Sequence, residues 1–107
     1  MASDKAGRIA RSILVYIAKH PGSKDALKGI RWWIERADEC SDTDIEDAIL
    51  ILLNRGLLSC WEVTRMARLT FPSRLELNKP SVLFGLSPEF LLHPEQALSE
   101  FDSTGEE

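Results

Sequence analysis

The chain has 107 residues, of which 44% are hydrophobic and 28% charged, and these fractions are ordinary for a folded globular protein rather than a disordered one. A chain of this length has room for one domain with one modest core, and no apolar run approaches the roughly 20 residues that span a bilayer. The formal charge of −4 and the isoelectric point near 5.2 argue against a domain held to nucleic acid by overall charge, because such domains usually have a pI above about 9.

Cysteine usage and the first residues bear on the compartment of the protein. Cys40 and Cys60 are the two cysteines, and a domain of this size folds without disulfide staples. The opening residues, Met-Ala-Ser-Asp-Lys, lack the apolar core of a signal peptide. We therefore expect reduced thiols and a cytoplasmic protein.

A first helix is predicted from about Asp4 to His20. Ser3 or Asp4 can cap it, and Pro21 with Gly22 ends it, because proline disfavours helical geometry in the residue before it. The predicted inner face carries apolar residues at helical spacing, namely Ala6, Ile9, Ala10, Ile13, Leu14 and Ile17.

A second helix is predicted after Ser23, which offers a cap. Its apolar stripe is formed by Leu27, Ile30, Trp33, Ile34 and Ala37. If this helix stays regular, Trp32 points about 160° away from the centre of the stripe. Adjacent tryptophans on a helix cannot both face one core, so we expect one of them to contact the wing described below or another chain.

A third helix is predicted to start at Ser41 or Asp42 and to end at Gly56, which readily adopts the left-handed conformation of a helix end. Its first turns are strongly acidic, which suits the positive end of the helix dipole. Its inner face carries Ile45, Ala48, Ile49, Leu52 and Leu53.

Beyond Gly56 the pattern changes to strands, predicted at residues 57–63 and 81–86. Between them lie turn signals at Pro72-Ser73 and Asn78-Lys79-Pro80. A further short hairpin is an open alternative there, formed by Leu69, Phe71, Leu75 and Leu77. Ser87-Pro88-Glu89 is typical of a helix start and predicts a last helical segment that Pro94 limits or bends.

Three helices followed by a two-stranded hairpin is the element order of the winged helix-turn-helix superfamily. The run from Ile45 through Ala48-Ile49 and Leu52 to Gly56-Leu57-Leu58 resembles the junction between recognition helix and wing in bacterial winged-helix regulators. His20-Pro21 followed by Ala26–Trp33 is similar to a pattern in small uncharacterised bacterial winged-helix proteins, and it implies no activity.

The resemblance implies an α+β fold that is mostly α. We expect a three-helix winged helix-turn-helix with a β-hairpin wing and a short C-terminal helix. This single domain would cover residues 1–102, with an extended wing at about 57–86, and a mobile acidic tail would follow at 103–107.

The same resemblance would lay the third helix in a DNA major groove, with its N-terminal end at the bases. The residues then facing the groove are Ser41, Asp42, Thr43, Asp44, Glu46, Asp47 and Leu50, none of which is lysine or arginine. Affinity for a duplex comes largely from lysine and arginine at phosphates. These acidic residues can also be explained without a partner, as residues that cap the helix and face solvent. Even in that case the start of the helix is poorly suited to binding DNA.

We therefore expect a non-enzymatic interaction module, an adaptor or subunit, that binds protein through helices two and three. The partner can be a second copy of the chain, giving a homodimer. Leu50 and Ile51 widen the apolar arc of the third helix, so they are either buried under the wing or part of this surface. The predicted contact residues are Trp32, Asp42, Glu46, Asp47, Leu50 and Ile51.

The alternative is a DNA-binding transcriptional regulator that contacts the phosphate backbone through a basic wing and the first helix. Its predicted contact residues are Arg65, Arg68, Arg74 and Lys79. Glu62 and Glu76 dilute this positive charge, and exposed arginines on a hairpin also occur as plain solvated surface.

Catalysis has little support in the sequence. His20 and His93 have neither a cysteine nor a second histidine at metal-ligand spacing, and a whole helix separates Cys40 from Cys60. No glycine-rich phosphate loop and no nucleophile elbow is present. We expect no enzymatic activity, no catalytic or metal-binding residue, no cofactor and no membrane contact.

Overall fold

The structure is a computed structural model that describes residues 2–34, 39–64, 67–69, 72 and 74–104. The fold is α+β and mostly helical, with one four-stranded antiparallel sheet. In chain order the elements are α1 (Ala2–Lys19), β1 (Lys24–Asp25), α2 (Leu27–Ile30), α3 (Asp42–Asn54), β2 (Leu58–Glu62), β3 (Ala67–Leu69), α4 (Arg74–Leu77), β4 (Val82–Leu86) and α5 (Pro94–Thr104), with 3₁₀ turns at Arg31–Trp33 and Pro88–Phe90.

Helix α1 forms the centre of the core. All the residues predicted on its inner face, from Ala6 to Ile17, are buried, which confirms the first helix. It packs on both α3 and α5. The helix ends at Lys19, just before the predicted limit at His20.

Helix α3 is confirmed, with a complete capping box at its start. The Asp44 backbone N–H donates to the Ser41 hydroxyl at 3.1 Å, and the Ser41 N–H donates to the Asp44 carboxylate at 3.0 Å. Ile45, Ala48, Ile49 and Leu52 are buried. Gly56 follows with a φ of 71°, the left-handed conformation that glycine adopts without strain.

The sheet has the strand order β1-β4-β2-β3, with every neighbouring pair antiparallel. Strands β2 and β4 confirm the predicted strands with slightly shorter limits. Cys60 of β2 pairs with Phe84 of β4, and both side chains are fully buried. Strand β1 was not predicted, because two polar residues carry no apolar alternation to reveal a strand.

The prediction of a second helix through Ala37 is wrong. Helix α2 ends at Ile30, a 3₁₀ turn follows to Trp33, and Ile34 is extended with φ −99° and ψ 127°. Ala37 lies outside the described residues. Glycine has a low intrinsic helix propensity, so nothing at Gly29 favours a longer helix, and the tighter turn is stabilised by Trp33, which stacks on Tyr16.

The predictions for the second half of the chain need three corrections. The possible hairpin is divided: Leu69 is in β3, Leu77 is in helix α4, and Phe71 lies outside the described residues. The Ser87-Pro88-Glu89 signal starts only a 3₁₀ turn, and the main helix α5 begins at Pro94. Helix α5 continues through Thr104, so it enters the predicted tail, of which 105–107 are outside the described residues.

Candidate functional site

Trp32 and Trp33 have opposite environments. The Trp33 side chain is only 9% exposed, and its ring stacks on that of Tyr16 with centroids 5.0 Å apart and planes 10° apart. A 3₁₀ turn has three residues per turn, so neighbouring side chains diverge by about 120°. Because Trp33 packs inward, Trp32 projects outward and is 87% exposed. The structure thus agrees with the expectation that the two tryptophans do not share one core.

Arg31 connects the turn that carries Trp32 to the start of α3. Its Nη2 donates to the Asp42 carboxylate at 2.6 Å, and its Nη1 donates to the Cys40 carbonyl oxygen at 3.1 Å. Charge-assisted bonds of this length are stronger than neutral ones. The structure therefore brings the turn of Trp32 together with Asp42, which remains exposed.

The acidic start of α3 is partly neutralised by nearby cations. Asp42 pairs with Arg31, and the Asp44 carboxylate lies 3.2 Å from the Lys5 ammonium of α1. The Ser41 backbone N–H, followed by the Lys5 ammonium, lowers the pKa of the Asp44 carboxyl. These acids thus serve the helix cap and the contact between α1 and α3.

The described part of the segment between β2 and β4 (residues 63–81, here called the β2–β4 connection) contacts α3. Asn78 donates its side-chain N–H to the Glu46 carboxylate at 2.8 Å. Leu77 of α4 is fully buried in the core. A cleft of about 210 Å³ lies between the two parts, with Leu50 on the α3 side and Pro72 on the other.

This packing decides the exposure of the remaining residues predicted to bind protein. Leu50 points about 150° away from the buried stripe of α3, yet it is only half-buried rather than exposed, because the β2–β4 connection lies beside it. Ile51, Glu46 and Asp47 are also half-buried. Leu50 and Ile51 both pack against the core. Trp32 and Asp42 are therefore the exposed members of the predicted set.

Of the four basic residues predicted for DNA, the structure describes the side chains of Arg68 and Lys79, and both are exposed. Arg68 donates from Nη2 to the Ser59 hydroxyl at 2.6 Å and lies 3.8 Å from the Glu89 carboxylate. Lys79 is exposed in the turn before β4. Arg65 lies outside the described residues, and only the backbone of Arg74, in α4, is described.

The DNA-binding alternative assigned the first helix to the phosphate backbone, but none of the basic side chains of α1 was named as a site residue. Lys5, Arg8 and Arg11 line clefts along this helix, together with Lys19. The signal was present in the sequence, because basic residues recur every third position from Lys5 to Arg11.

The cysteine thiols do not form a disulfide. Cys60 is fully buried, and burial, reinforced by the Glu76 carboxylate, raises the pKa of its thiol to about 11. Such a thiol carries almost no thiolate at neutral pH and is a poor nucleophile. Among the residues that the structure describes, no group of three His, Cys, Asp or Glu side chains is placed to hold a metal ion. No helix in that part of the chain is both long and apolar enough to cross a membrane.

No protein-family model, curated protein sequence or solved structure matches this chain.

Proposed function

We propose that the chain is a cytoplasmic winged-helix module that binds a protein partner and catalyses no reaction. The element order supports a winged helix: α1, β1, α2 and α3 precede a hairpin of β2 and β4, and β1 pairs with β4. On this interpretation β3 and α4 belong to an enlarged wing that folds back over α3.

The exposure of Trp32 is the observation that carries the proposal. A tryptophan buries about 150–250 Å² when it is covered, which at about 25 cal/mol per Å² corresponds to roughly 4–6 kcal/mol. Tryptophan is also enriched among the residues that dominate binding energy at interfaces. At 87% exposure Trp32 has most of this area available. The contact surface would combine Trp32 with Asp42 at the exposed start of α3.

Several contacts favour a protein partner over DNA. Helix α3 contains no lysine or arginine between Asp42 and Asn54, so it has no side chain to neutralise phosphates. Its outer side also has the β2–β4 connection beside it, through Asn78 and Glu46. Among the described side chains of the predicted DNA set, Arg68 is engaged by Ser59 and Glu89, so a DNA-binding regulator would have to release it before it could contact phosphate.

The test compares Trp32→Ser with Leu92→Ser in the full chain. Leu92 is a matched control, because it is 89% exposed and is remote from Trp32 in sequence. Sedimentation velocity at rising concentration measures self-association, and affinity capture from a host lysate measures a foreign partner. We expect a dimer or a specific captured protein with the wild type and with Leu92→Ser, and its loss with Trp32→Ser.

Three results would reject the proposal. The first is a wild-type chain that stays monomeric and captures no protein. The second is binding that neither variant changes. The third is salt-sensitive binding of a mixed-sequence DNA duplex, measured by fluorescence anisotropy, that Lys79→Glu weakens and Trp32→Ser does not. The third result would support the transcriptional regulator.

A further inference from the structure

The cleft between α3 and the β2–β4 connection has a largely apolar lining. Its volume is about 210 Å³, and its apolar residues are Leu50, Leu53, Leu58, Leu69 and Pro72. Leu58 is buried, but the other four are only half-buried. These four side chains therefore keep hydrocarbon surface that a ligand in the cleft can cover.

The same cleft is bordered by one positive charge. Its polar lining residues are Asn54, Gly56, Ser59 and Arg68, and Arg68 is the charged member of the lining that the structure describes. The Arg68 Nη2 donates to the Ser59 hydroxyl at 2.6 Å. Ser59 is buried and lies 2.8 Å from the Ser87 hydroxyl, which is also buried. This buried serine pair holds the guanidinium at the cleft.

Most of the hydrogen-bonding capacity of Arg68 is available to a ligand. A guanidinium has five N–H donors, and Ser59 accepts from Nη2. Glu89 is the nearest carboxylate in the described part of the chain, and at 3.8 Å it lies beyond hydrogen-bond distance. A carboxylate matches the guanidinium fork with two parallel hydrogen bonds. A ligand carboxylate can therefore bind Arg68 without displacing Ser59.

The volume of the cleft limits the size of this ligand. A cavity of about 150 Å³ holds one benzene molecule, so the cleft has room for about eight non-hydrogen atoms. A six-carbon carboxylate has this size, whereas a nucleotide or a stretch of peptide is much larger. The described lining contains leucine and proline but no aromatic ring, which favours an aliphatic chain.

We propose that this cleft binds a small aliphatic monocarboxylate. The carboxylate would pair with Arg68, and the chain would lie against Leu50, Leu53 and Leu69. Size and complementary charge together select this occupant. The site goes beyond the proposed partner surface and does not depend on it, because Trp32 does not line the cleft.

The test titrates hexanoate into the isotope-labelled full chain and follows its amide NMR signals. For a ligand of this size we expect a Kd on the order of 1 mM, with saturable shifts in α3 near Leu50 and in β3 near Arg68. Hexanol has the same chain without the charge, and acetate has the charge without the chain. Each is expected to bind at least about tenfold more weakly than hexanoate.

Four variants assign the binding to the cleft. Arg68→Met keeps most of the side-chain length and is expected to weaken hexanoate by about tenfold or more, without changing hexanol. Arg8→Met is the matched control, because Arg8 is exposed and lies outside the cleft. Leu50→Phe narrows the cleft and should weaken both compounds. Glu89→Gln removes a competing carboxylate and should tighten hexanoate by about twofold.

Circular dichroism verifies that each variant is folded, and Trp32→Ser is expected to leave the hexanoate affinity unchanged. This last result separates a failure of the cleft proposal from a failure of the partner surface.

Several outcomes would overturn the proposal. If hexanoate gives no saturable shift, or shifts only amides away from the cleft, the cleft is not its site. Equal binding of hexanol and hexanoate shows that Arg68 does not select a carboxylate. Equal weakening by Arg68→Met and Arg8→Met shows only a general charge effect. Shifts of the cleft amides with protein concentration alone assign the cleft to a second copy of the chain instead.

Discussion

At the scale of single residues, Gly29 is an exception to the rule that alanine stabilises a helix more than glycine does, because another side chain occupies the space beside it. The carboxylate of Asp25 lies where the Cβ of a larger residue at position 29 would be. Asp25 is held there because it accepts a hydrogen bond from the Ala26 backbone N–H at 2.8 Å. Because Gly29 has no side chain, the Asp25 carboxylate can pack against its backbone at the junction of β1 and α2.

This contact predicts opposite effects for two glycine-to-alanine substitutions in helices. Gly7 in α1 has no atom within 4 Å of its would-be Cβ, so Gly7→Ala is expected to raise the free energy of unfolding by about 0.5–1 kcal/mol. Gly29→Ala must displace Asp25 and is expected to lower that free energy by about 1–2 kcal/mol. Urea unfolding of each variant measures the difference.

The double variant Asp25→Ala/Gly29→Ala is the control for this explanation. In the Asp25→Ala background the obstruction is gone, so Gly29→Ala is expected to become neutral or stabilising. If Gly29→Ala stabilises the wild-type chain as much as Gly7→Ala does, the Asp25 contact does not constrain position 29.

The residues of the candidate sites could be predicted only where a local rule applies. The outward direction of Trp32 can be predicted because two adjacent tryptophans cannot both face one core. This prediction is correct even though the residues form a 3₁₀ turn and not the expected α-helix. The pairs that shape its surroundings have no such local signal: Arg31 bonds to Asp42 across 11 positions, and Asn78 bonds to Glu46 across 32. Those contacts depend on how the elements pack.

At the scale of elements, α4 anchors the β2–β4 connection to the core. This helix is a single turn, Arg74–Leu77, and it could not form alone, because short helices are unstable in water. Leu77 is fully buried within the main core cluster. Burial of this leucine therefore contributes to holding the turn in place.

Leu77→Ala is accordingly expected to lower the free energy of unfolding by about 2–5 kcal/mol, the usual cost of removing a buried leucine side chain. Leu92→Ala serves as a control, since Leu92 is 89% exposed and its change is expected to stay within about 0.5 kcal/mol. Hydrogen exchange should show faster exchange in α4 of the Leu77 variant. An effect of Leu77→Ala as small as that of Leu92→Ala would mean that the connection is not packed in solution.

The elements themselves were predictable in proportion to their length and periodicity. The stripe of α1 and the apolar runs of β2 and β4 are long enough to define their type. By contrast, the apolar pattern of a few residues is the same for an α-helix and a 3₁₀ turn. The predicted second helix was therefore too long beyond Gly29. Strand β1 exists because Lys24 and Asp25 pair with Gly85 and Phe84, which are distant in sequence.

At the scale of the whole molecule, α5 returns the end of the chain to the first helix. Ala97 and Phe101 are buried, and the α5 residues pack on α1. The Arg55 guanidinium at the end of α3 lies 4.8 Å from the Phe101 ring centroid, a cation–π distance. Phe101 thus belongs to the same core cluster as the residues of α1, α3 and the sheet.

A shared core predicts that Phe101→Ala destabilises the entire domain rather than α5 alone. The expected loss is about 3–5 kcal/mol, a large part of the roughly 5–15 kcal/mol that stabilises a typical domain. Asp102→Ala is the neighbouring control: its ion pair with Arg11 is exposed, and the expected change is at most about 1 kcal/mol.

Unfolding followed by far-UV circular dichroism reports the helices, and tryptophan fluorescence reports Trp33 and Trp61. Because one core joins these regions, both signals should shift together to lower urea in Phe101→Ala and remain coincident. If the helical signal shifts while the fluorescence transition stays in place, α5 unfolds separately and the core is not shared.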